Sequence, residues 1–390
     1  MNPAEIVRIA SRGDGVTGGG EHVPLAAPGD ILEADGSLRH GPHHMTPPCR
    51  HFPECGGCQL QHADDVAYRG YLVSRIETAL AQHALTTEIR EPHLSPPNSR
   101  RRTTLRALKV GKGVMLGFNA EKSHHIVDIR ECHILRPELF ALVAPLRTLF
   151  GPLLRPGRMA EVQLTLVDRG VDVLLTGVAA EGLAAIEAMT SFAGEHRLVR
   201  LSIDQGLGAE AFYEPEPVTV TLSGIPVAFP VGGFLQATAD GEAALVGAVR
   251  EAIGDARQAA DLFAGLGTFA LAVGASYAGE ASRDAAASLK RAAPAMAIEH
   301  RDFYRRPLDH AELARFDAVI LDPPRAGAEE QVRALAGSSV PRIAYVSCNP
   351  ATFARDARTL ADGGYRLEWV RPVGQFRWST HVELAACFSR

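Results

Sequence analysis

Three cysteines lie within ten residues in the N-terminal part of the chain. Cys49, Cys55 and Cys58 follow the pattern C-x5-C-G-G-C. Clustered thiols in a chain without a recognisable secretion signal favour metal binding over disulfide formation, and the two glycines let the backbone wrap closely around a bulky group. A four-thiolate site needs one more ligand, for which Cys132 in DIRECHIL is the best candidate. This spacing favours a four-iron cluster, while a zinc ion and unligated thiols remain open.

Two further residues stand directly after apolar, strand-like runs. FDAVILDPPRAG places Asp322 at the carboxyl end of one strand, before a stiff Pro-Pro pair, and RIAYVSCNP places Cys348 at the end of another. Ligands of open α/β sheets bind at the carboxyl ends of the strands. The sequence therefore predicts that Asp322 and Cys348 face one crevice, whereas Cys387 in ELAACFSR is predicted to be a buried core thiol.

A glycine turn is predicted to join the same crevice. DLFAGLGTFAL (261–271) has the pattern of a strand, a Gly-x-Gly turn and a helix. Such a turn lets a ligand approach backbone N–H groups, although by itself it is also compatible with a plain strand-to-helix connection. Glu280 follows Asp261 by nineteen residues, which is where a Rossmann-like fold presents a carboxylate to a ribose diol.

The elements that must position these residues fall into three regions. Residues 1–45 have alternating apolar positions between Gly-rich turns, which predicts a small β-barrel. Residues 46–215 begin with a linker and the cysteine segment. They continue with a helix over 63–89 and alternating strands with a helix near 181–193. In residues 216–390, strand-like runs alternate with Ala-rich helices, which predicts a doubly wound parallel α/β domain.

Length and composition set the protein class. The 390 residues suggest two or three domains. The hydrophobic fraction of 46% and the charged fraction of 22% exclude a mainly disordered chain and a disulfide-stapled miniprotein. The longest apolar runs are too short to span a bilayer. We therefore expect a cytoplasmic, monomeric enzyme with no membrane partner.

Basic residues are concentrated in one stretch, although the net charge is −5. Between Pro92 and Ala120 there is no Asp or Glu. The basic residues of this stretch are Arg100, Arg101, Arg102, Arg106, Lys109 and Lys112. A solvated face and a contact with a nucleic-acid backbone both explain such a run, and the choice depends on other signs of RNA binding.

Several motifs together resemble one known family. SCNP, DPPRAG, DLFAGLGT, GGFLQ and the N-terminal C-x5-C-x2-C are similar to the RNA uracil-5-methyltransferases, and more closely to their iron–sulfur branch, the 23S ribosomal RNA (uracil-5-)-methyltransferases. The resemblance covers nearly the whole chain. It implies a TRAM-type or OB-like barrel over 1–45, and a central α+β RNA-binding region with a 4Fe-4S cluster over 46–215. It also implies an S-adenosylmethionine-dependent methyltransferase domain over 216–390.

The same resemblance implies roles for individual residues. Cys348 matches the nucleophile, and Glu383 in STHVEL matches the base that removes the C5 proton. The implied cluster ligands are Cys49, Cys55, Cys58 and Cys132. The implied contacts to the methyl donor are Gln236, Phe263, Gly265, Gly267, Thr268, Glu280, Asp302 and Asp322. The implied RNA contacts are Arg100, Arg101, Arg102 and Arg106. The chain departs from the family pattern at Thr238, Ala292, Gly374 and Arg377.

Two other classes of RNA methyltransferase have different residues around the D-P-P motif. Amino-methylating enzymes place an aromatic residue after the D-P-P motif, where this chain has Arg325. RNA cytosine-5 enzymes place a catalytic cysteine just after the proline of that motif, and none stands there. A transfer-RNA uracil-5 enzyme and a non-catalytic iron–sulfur RNA-binding protein remain alternatives. We expect the RNA partner to be 23S ribosomal RNA that presents a flipped uridine.

Overall fold

The computed structural model of the protein describes residues 3–178 and 180–390. Their strands form sheets of five, seven and nine strands and a separate two-stranded hairpin. None of the helices in these ranges combines the length and apolar character that crossing a membrane requires.

The N-terminal strands form a small antiparallel sheet. They are β1 (Ala4–Ile9), β2 (Gly15–Thr17), β3 (His22–Val23), β4 (Ile31–Leu32) and β5 (Leu38–Arg39). Their order is β3-β2-β1-β4-β5, so β3 and β5 lie at the two edges. Ile6 and Ala26 are fully buried beneath the sheet. The predicted short strands are confirmed, while the TRAM-type barrel stays a prediction.

One long helix and two short strands follow the cysteine segment. They are α1 (Asp65–Ala81), β6 (Glu88–Ile89) and β7 (His93–Leu94). The helix begins where the Asp64 carboxylate accepts a hydrogen bond from the Ala67 amide at 2.8 Å. It ends at Ala81, earlier than the predicted limit, and Ala84 then adopts a φ of 52°.

The central sheet has seven strands with helices between them. Its elements are β8 (Arg102–Val110), β9 (Gly113–Asn119), β10 (Ile126–Asp128), α2 (Pro137–Phe140), α3 (Val143–Leu153), β11 (Met159–Val167), β12 (Gly170–Thr176), α4 (Leu183–Glu195), β13 (Arg200–Asp204) and β14 (Ala209–Tyr213). Their order is β10-β9-β8-β11-β12-β13-β14. The pair β12–β13 is parallel, and Leu146 and Phe150 of α3 pack into the core of this sheet. Helix α4 lies where the sequence predicts one.

The C-terminal region begins with a hairpin and continues as alternating strands and helices. Its elements are β15 (Thr219–Leu222), β16 (Ile225–Ala228), α5 (Ala239–Ile253), β17 (Ala259–Leu262), α6 (Thr268–Val273), β18 (Tyr277–Glu280), α7 (Arg283–Ala292), β19 (Ala297–His300), α8 (His310–Leu313), β20 (Ala318–Leu321), α9 (Glu329–Ala336), β21 (Arg342–Ser347), α10 (Pro350–Asp362), β22 (Arg366–Gly374) and β23 (Glu383–Ser389). The sheet order is β19-β18-β17-β20-β21-β23-β22-β6, and β7 also pairs with β22. The chain moves outward from β17 to β19 and then returns to β20. A crevice is therefore expected between β17 and β20.

Two details correct the predicted organisation. The sheet is parallel from β19 to β21, but β23 runs antiparallel to both β21 and β22. The loop 375–382 joins β22 directly to β23 without a crossover helix, and such a connection requires antiparallel strands. In addition, α1, β6 and β7 pack on this C-terminal sheet, so residues 65–94 do not follow the predicted boundary at 215/216.

Candidate active site

The register of the sheet brings the predicted nucleophile and the predicted base together. Asp322 follows β20 directly, and Cys348 follows the neighbouring parallel strand β21. On the other side of β21, Leu384 pairs with Ser347 in antiparallel register. Glu383, the first residue of β23, is therefore the cross-strand neighbour of Cys348. Asp322 and Cys348 therefore stand at the same edge of the sheet, while the crevice that they are predicted to share stays a prediction.

The charges around Cys348 oppose ionisation of its thiol. The side chain is half-buried. Burial raises its pKa, the carboxyl groups of Glu383 and Asp322 raise it further, and the guanidinium of Arg325 opposes them. These surroundings therefore favour the neutral thiol, and conversion to a thiolate depends on the charges of its neighbours.

Glu383 is a buried carboxyl group with an unused oxygen. The residue is 7% exposed, and its Oε2 atom has no hydrogen-bond partner. Burial raises its pKa well above the ordinary value, Asp322 adds to the effect, and Arg102 opposes it. Burial likewise raises the pKa of Asp322 to about 7. Neighbouring carboxyl groups with raised pKa values are typical of acid–base sites.

The glycine turn after β17 leaves open space for a ligand. Phe263, Gly265 and Gly267 have φ angles of 68°, 57° and 91°. A side chain at Gly265 would meet nothing within 4 Å, whereas a Cβ at Gly267 would lie 2.5 Å from Leu289 Cδ1. The Gly265 amide donates to the Glu280 carboxylate at 2.8 Å. The space beside Gly265 is therefore open, and Thr268 begins the helix that follows.

An aromatic group lies next to this turn. The ring of Phe263 packs against Phe303 and Tyr304, with centroids 5.1 and 5.7 Å apart. Asp302 accepts a hydrogen bond from the Tyr304 amide at 2.9 Å. The sequence did not predict the packing of Tyr304 beside Phe263. The left-handed backbone of Phe263 is uncommon for a bulky residue, and such conformations cluster at functional sites.

A second buried acid lies beneath the turn. Asp261 is fully buried, accepts a hydrogen bond from the Ala270 amide at 2.8 Å, and leaves Oδ1 without a partner. Burial raises its pKa well above the ordinary value, and Asp322 and Glu280 add to the effect. The sequence predicted only that Asp261 belongs to the strand before the glycine turn.

Gln236 contributes to a buried amide network. The Gln375 Nε2 atom donates to Gln236 Oε1 at 2.8 Å, and Gln375 Oε1 accepts from the Thr238 amide at 3.3 Å. The Thr238 hydroxyl in turn accepts a hydrogen bond from the Gly241 amide, and Thr238 is the N-cap residue of α5. Threonine therefore performs N-terminal capping at a position where the family often has asparagine. A contact of Gln236 with the methyl donor stays a prediction.

The four predicted RNA-contacting arginines differ in their surroundings. Arg100 donates to the Arg102 carbonyl and lies over the ring of Phe376. Arg101 forms a 2.6 Å ion pair with Glu242 and is only 13% exposed. Because the Arg101 guanidinium is already paired with the Glu242 carboxylate, it connects the central region to α5.

Arg102 and Arg106 are placed differently from that pair. The Arg102 guanidinium lies 4.5 Å from the ring centroid of Phe234, which is 57% exposed. Burial and the neighbouring arginines lower the pKa of Arg102 to about 10, while Glu383 opposes the shift. Arg106 lies further along β8 and pairs with Glu161. Of the four arginines, Arg102 is the one whose charge reaches Glu383.

The four cysteines implied as cluster ligands line one cavity. Cys49, Cys55, Cys58 and Cys132 surround it together with the ring of Phe118. The close packing requires glycine, since a Cβ at residue 56 would lie 2.7 Å from the carbonyl oxygen of residue 119. Across residues 3–178 and 180–390, no three His, Cys, Asp or Glu side chains are arranged so that they could hold a metal ion.

The cysteine cavity also disfavours free thiolates. Burial raises the pKa of Cys55 to about 11 and that of Cys58 to about 12. Neighbouring cysteines add to both shifts because their negative forms repel one another. Without a bound cation, the thiols of this cavity are therefore neutral.

The chain has clear relatives among RNA-modifying enzymes. Residues 284–390 match the tRNA (Uracil-5-)-methyltransferase family. The chain is 52% identical over 394 residues to an uncharacterized RNA methyltransferase of Zymomonas mobilis, with 99% of each chain covered. It is 34% identical over 388 residues to a 23S rRNA (uracil(1939)-C(5))-methyltransferase of Chromohalobacter salexigens, with 90% of this chain and 78% of the relative covered.

A solved structure has the same fold. The tRNA (uracil-54, C5)-methyltransferase of Pyrococcus abyssi, determined with S-adenosyl-L-homocysteine, superposes with a TM-score of 0.74 and 22% identity. The match covers 99% of this chain and all of that one. The α/β fold predicted from the sequence is confirmed, and the chain belongs to the RNA (uracil-5-)-methyltransferase family, whose members use S-adenosylmethionine.

Proposed function

We propose that the protein methylates C5 of a uridine in 23S ribosomal RNA through a covalent bond between Cys348 and C6 of the uracil. The observation that carries this proposal is the cross-strand pairing of β21 with β23, which sets Cys348 beside Glu383. A non-catalytic RNA-binding protein has no need for a nucleophile, a buried base and Asp322 in one crevice.

The reaction begins at the half-buried thiol. Uracil C5 is a poor nucleophile until a thiolate adds to C6 and pushes an electron pair toward O4. Cys348 loses its proton to solvent and supplies this thiolate. Bound S-adenosylmethionine supplies an electrophilic methyl group, which C5 of the adduct accepts. The crevice must hold C5 in line with that group, and the open side of the Gly265 turn is the proposed location of the donor.

The second half of the reaction belongs to Glu383. Its ionised carboxylate removes the C5 proton, the C5–C6 double bond re-forms, and the C6–S bond breaks to release the Cys348 thiolate. The unpartnered Oε2 atom supports this role, because an oxygen already engaged by the protein could not accept the proton. Arg102 lowers the pKa of Glu383 and so favours its basic form.

We propose that Cys49, Cys55, Cys58 and Cys132 hold a 4Fe-4S cluster. No three of these side chains in the described residues are arranged to hold a single metal ion, so the proposal is for a bulkier group, in which each cysteine that lines the cavity would bind one iron. Such a cluster would cross-link the segment 49–58 to residue 132 and stabilise both. Methyl transfer moves no electrons, so the role assigned here is structural.

The choice of 23S ribosomal RNA rests on sequence. The relative named as a 23S rRNA uracil-5 enzyme is 34% identical to this chain over 388 residues, and the cysteine pattern resembles the same branch. A transfer-RNA target is the alternative. Mapping 5-methyluridine in both RNAs from a deletion strain separates them: loss from 23S RNA is expected, and loss from transfer RNA alone would contradict the assignment.

The chemical test is covalent trapping. With S-adenosylmethionine and an RNA that contains 5-fluorouridine, the wild type should form a denaturant-resistant protein–RNA complex, since fluorine cannot leave C5 as a proton would. Cys348→Ala should form none. Cys387→Ala is the matched control, because Cys387 is buried elsewhere in the sheet. Complex formation by Cys348→Ala would overturn the proposed mechanism.

A further inference from the structure

The loop that leads into Glu383 is tied to the cysteine segment. This loop, residues 375–382, joins β22 to β23 and ends one residue before the proposed base. The carbonyl oxygen of Trp378 accepts hydrogen bonds from the amides of both Gln59 and Leu60, at 2.7 and 2.9 Å. Gln59 follows Cys58 directly. The segment that follows Cys58 is therefore hydrogen-bonded to the loop 375–382, which we call the catalytic loop.

The side chain of Gln59 makes a second connection. Its Nε2 atom donates to the Gly56 carbonyl at 2.8 Å, and its Oε1 atom accepts from the Thr380 amide at 3.3 Å. Gly56 belongs to the turn between Cys55 and Cys58. One half-buried amide thus bridges the turn of the cysteine site and a residue three positions before Glu383.

The catalytic loop is held in a conformation that needs outside support. Trp378 has a φ of 58°, in the left-handed region that bulky side chains rarely adopt. Its side chain is buried in a small cluster with Cys58, Ile134 and Leu135. A strained backbone of this kind persists only where surrounding contacts fix it. Here those contacts come from the segments that carry Cys58 and Cys132.

Glu383 depends on this loop for its alignment. The described structure shows no hydrogen bond to its Oε2 atom, so the carboxyl is oriented by the backbone before it and by packing. Other contacts to the loop use different atoms: Tyr68 donates to the Phe376 carbonyl at 3.0 Å, and Tyr71 donates to the Thr380 carbonyl at 3.1 Å. These contacts do not involve the Gln59 side chain, so the loop should stay folded when that side chain is removed.

We infer that Gln59 is a positioning residue, which links the cysteine site to proton removal by aligning Glu383 through Thr380. The inference rests on the proposed function. It assigns Gln59 to one step: after C5 has accepted its methyl group, loss of the C5 proton and cleavage of the C6–S bond. Formation of the bond between Cys348 and C6 precedes that step and does not need the base.

The test uses full-length Gln59→Ala with unmodified uridine RNA and radioactive methyl donor. Methyl incorporation in a single turnover should change little. Release of free methylated RNA should slow by about tenfold, a fraction of the 10²–10⁴ that a general base supplies. A denaturant-resistant protein–RNA complex that carries the label should accumulate, as for Glu383→Gln. Gln59→Glu, which keeps the acceptor for Thr380, should accumulate less of it.

Two controls separate positioning from general damage. Iron content and the visible spectrum of Gln59→Ala should match the wild type. Gln61→Ala perturbs the same cysteine cavity, because Gln61 Oε1 accepts from the Cys49 amide at 3.2 Å, and it should accumulate no labelled complex. Equal slowing of methyl incorporation and release in Gln59→Ala, or the same complex in Gln61→Ala, would overturn the inference.

Failure of the proposed function gives a different result. If neither the wild type with 5-fluorouridine RNA nor Glu383→Gln with uridine RNA forms a complex, the covalent mechanism itself is wrong. If both form it and Gln59→Ala releases product at the wild-type rate, the mechanism stands and the positioning role of Gln59 is wrong.

Discussion

Cys348 and Glu383 are cross-strand neighbours, because β23 runs antiparallel to β21 with Leu384 opposite Ser347. Cys348, the proposed nucleophile, follows the carboxyl end of β21. Glu383, the proposed base, lies at the amino end of β23. Antiparallel pairing is what allows both ends to meet at one edge of the sheet. An all-parallel sheet would place the start of β23 at the opposite edge.

The rate of the reaction should rise with pH. Burial raises the pKa of both Cys348 and Glu383, and each acts in its deprotonated form. A group with a raised pKa stays protonated up to a higher pH, so the rate of product release should rise with pH and still be rising above neutral pH. Arg102→Met removes the positive charge that lowers the pKa of Glu383. The pH dependence of product release should therefore move to higher pH.

Arg106→Met is the control for this shift. Arg106 lies on the same strand and pairs with Glu161, away from Glu383. Its removal should leave the pH dependence of product release unchanged. A rate that is independent of pH in the wild type, or an equal shift in both variants, would contradict the proposed influence of Arg102 on the base.

Asp322→Asn should make the protein more stable above neutral pH. Burial raises the pKa of Asp322 from 3.8 to about 7. The folded chain therefore binds more protons than the unfolded chain between these values, and the free energy of unfolding falls as the pH rises through them. A shift of this size corresponds to at most about 4 kcal/mol, less because the side chain is partly accessible. Asparagine does not ionise and escapes this loss.

Urea unfolding at about pH 4 and about pH 8 measures the effect. The Asp322→Asn variant should match the wild type near the lower pH and exceed it at the higher pH, while methylation is lost. Asp362→Asn is the control, because the Arg358 guanidinium lowers the pKa of that exposed carboxyl. If the stability difference between Asp322→Asn and wild type does not change with pH, ionisation of Asp322 does not oppose folding.

Local signals in the sequence were sufficient for the strand ends. Asp322 and Cys348 each follow a short apolar run, and both runs are strands with completely or almost completely buried residues. Glu383 has no such local signal, since its place depends on the register of β23 against a strand 36 residues earlier. Only the resemblance to a family pointed to it.

Contacts between distant segments explain what the sequence did not predict. Arg101 lies in a stretch without acidic residues, yet its ion-pair partner Glu242 is 141 positions away. Similarly, the apolar face of α1 indicates a helix but not its neighbours, which belong to the C-terminal sheet. Periodicity reports that a face is buried and leaves open which element covers it.

Two glycines of the turn after β17 should respond differently to alanine. Both have positive φ angles, so each substitution costs about 1–2 kcal/mol of stability. A methyl group at Gly265 meets open space, whereas at Gly267 it would meet Leu289 at 2.5 Å, which adds about 1–3 kcal/mol. Gly265→Ala should fold and bind S-adenosylhomocysteine more weakly; Gly267→Ala should mainly lower the melting temperature.

Calorimetric titration and thermal unfolding separate these effects. If the open space beside Gly265 holds the donor, the loss of affinity in Gly265→Ala should exceed what its loss of stability explains. Unchanged affinity in this variant would place the donor elsewhere. Equal melting temperatures for the two variants would show that the contact with Leu289 relaxes without cost.

Loss of one cysteine ligand should lower the stability of the protein and its RNA affinity together with its turnover. Cys55→Ser removes a thiol from the cavity that Cys58 and Cys132 also line, and we expect loss of iron, a lower melting temperature and weaker RNA binding. Cys387→Ser, which alters a buried thiol in the sheet, should keep its iron. Because the proposed cluster cross-links distant segments without transferring electrons, Cys55→Ser should lose RNA affinity together with turnover. Intact stability and RNA affinity with abolished turnover would instead mean that the metal site takes part in the reaction.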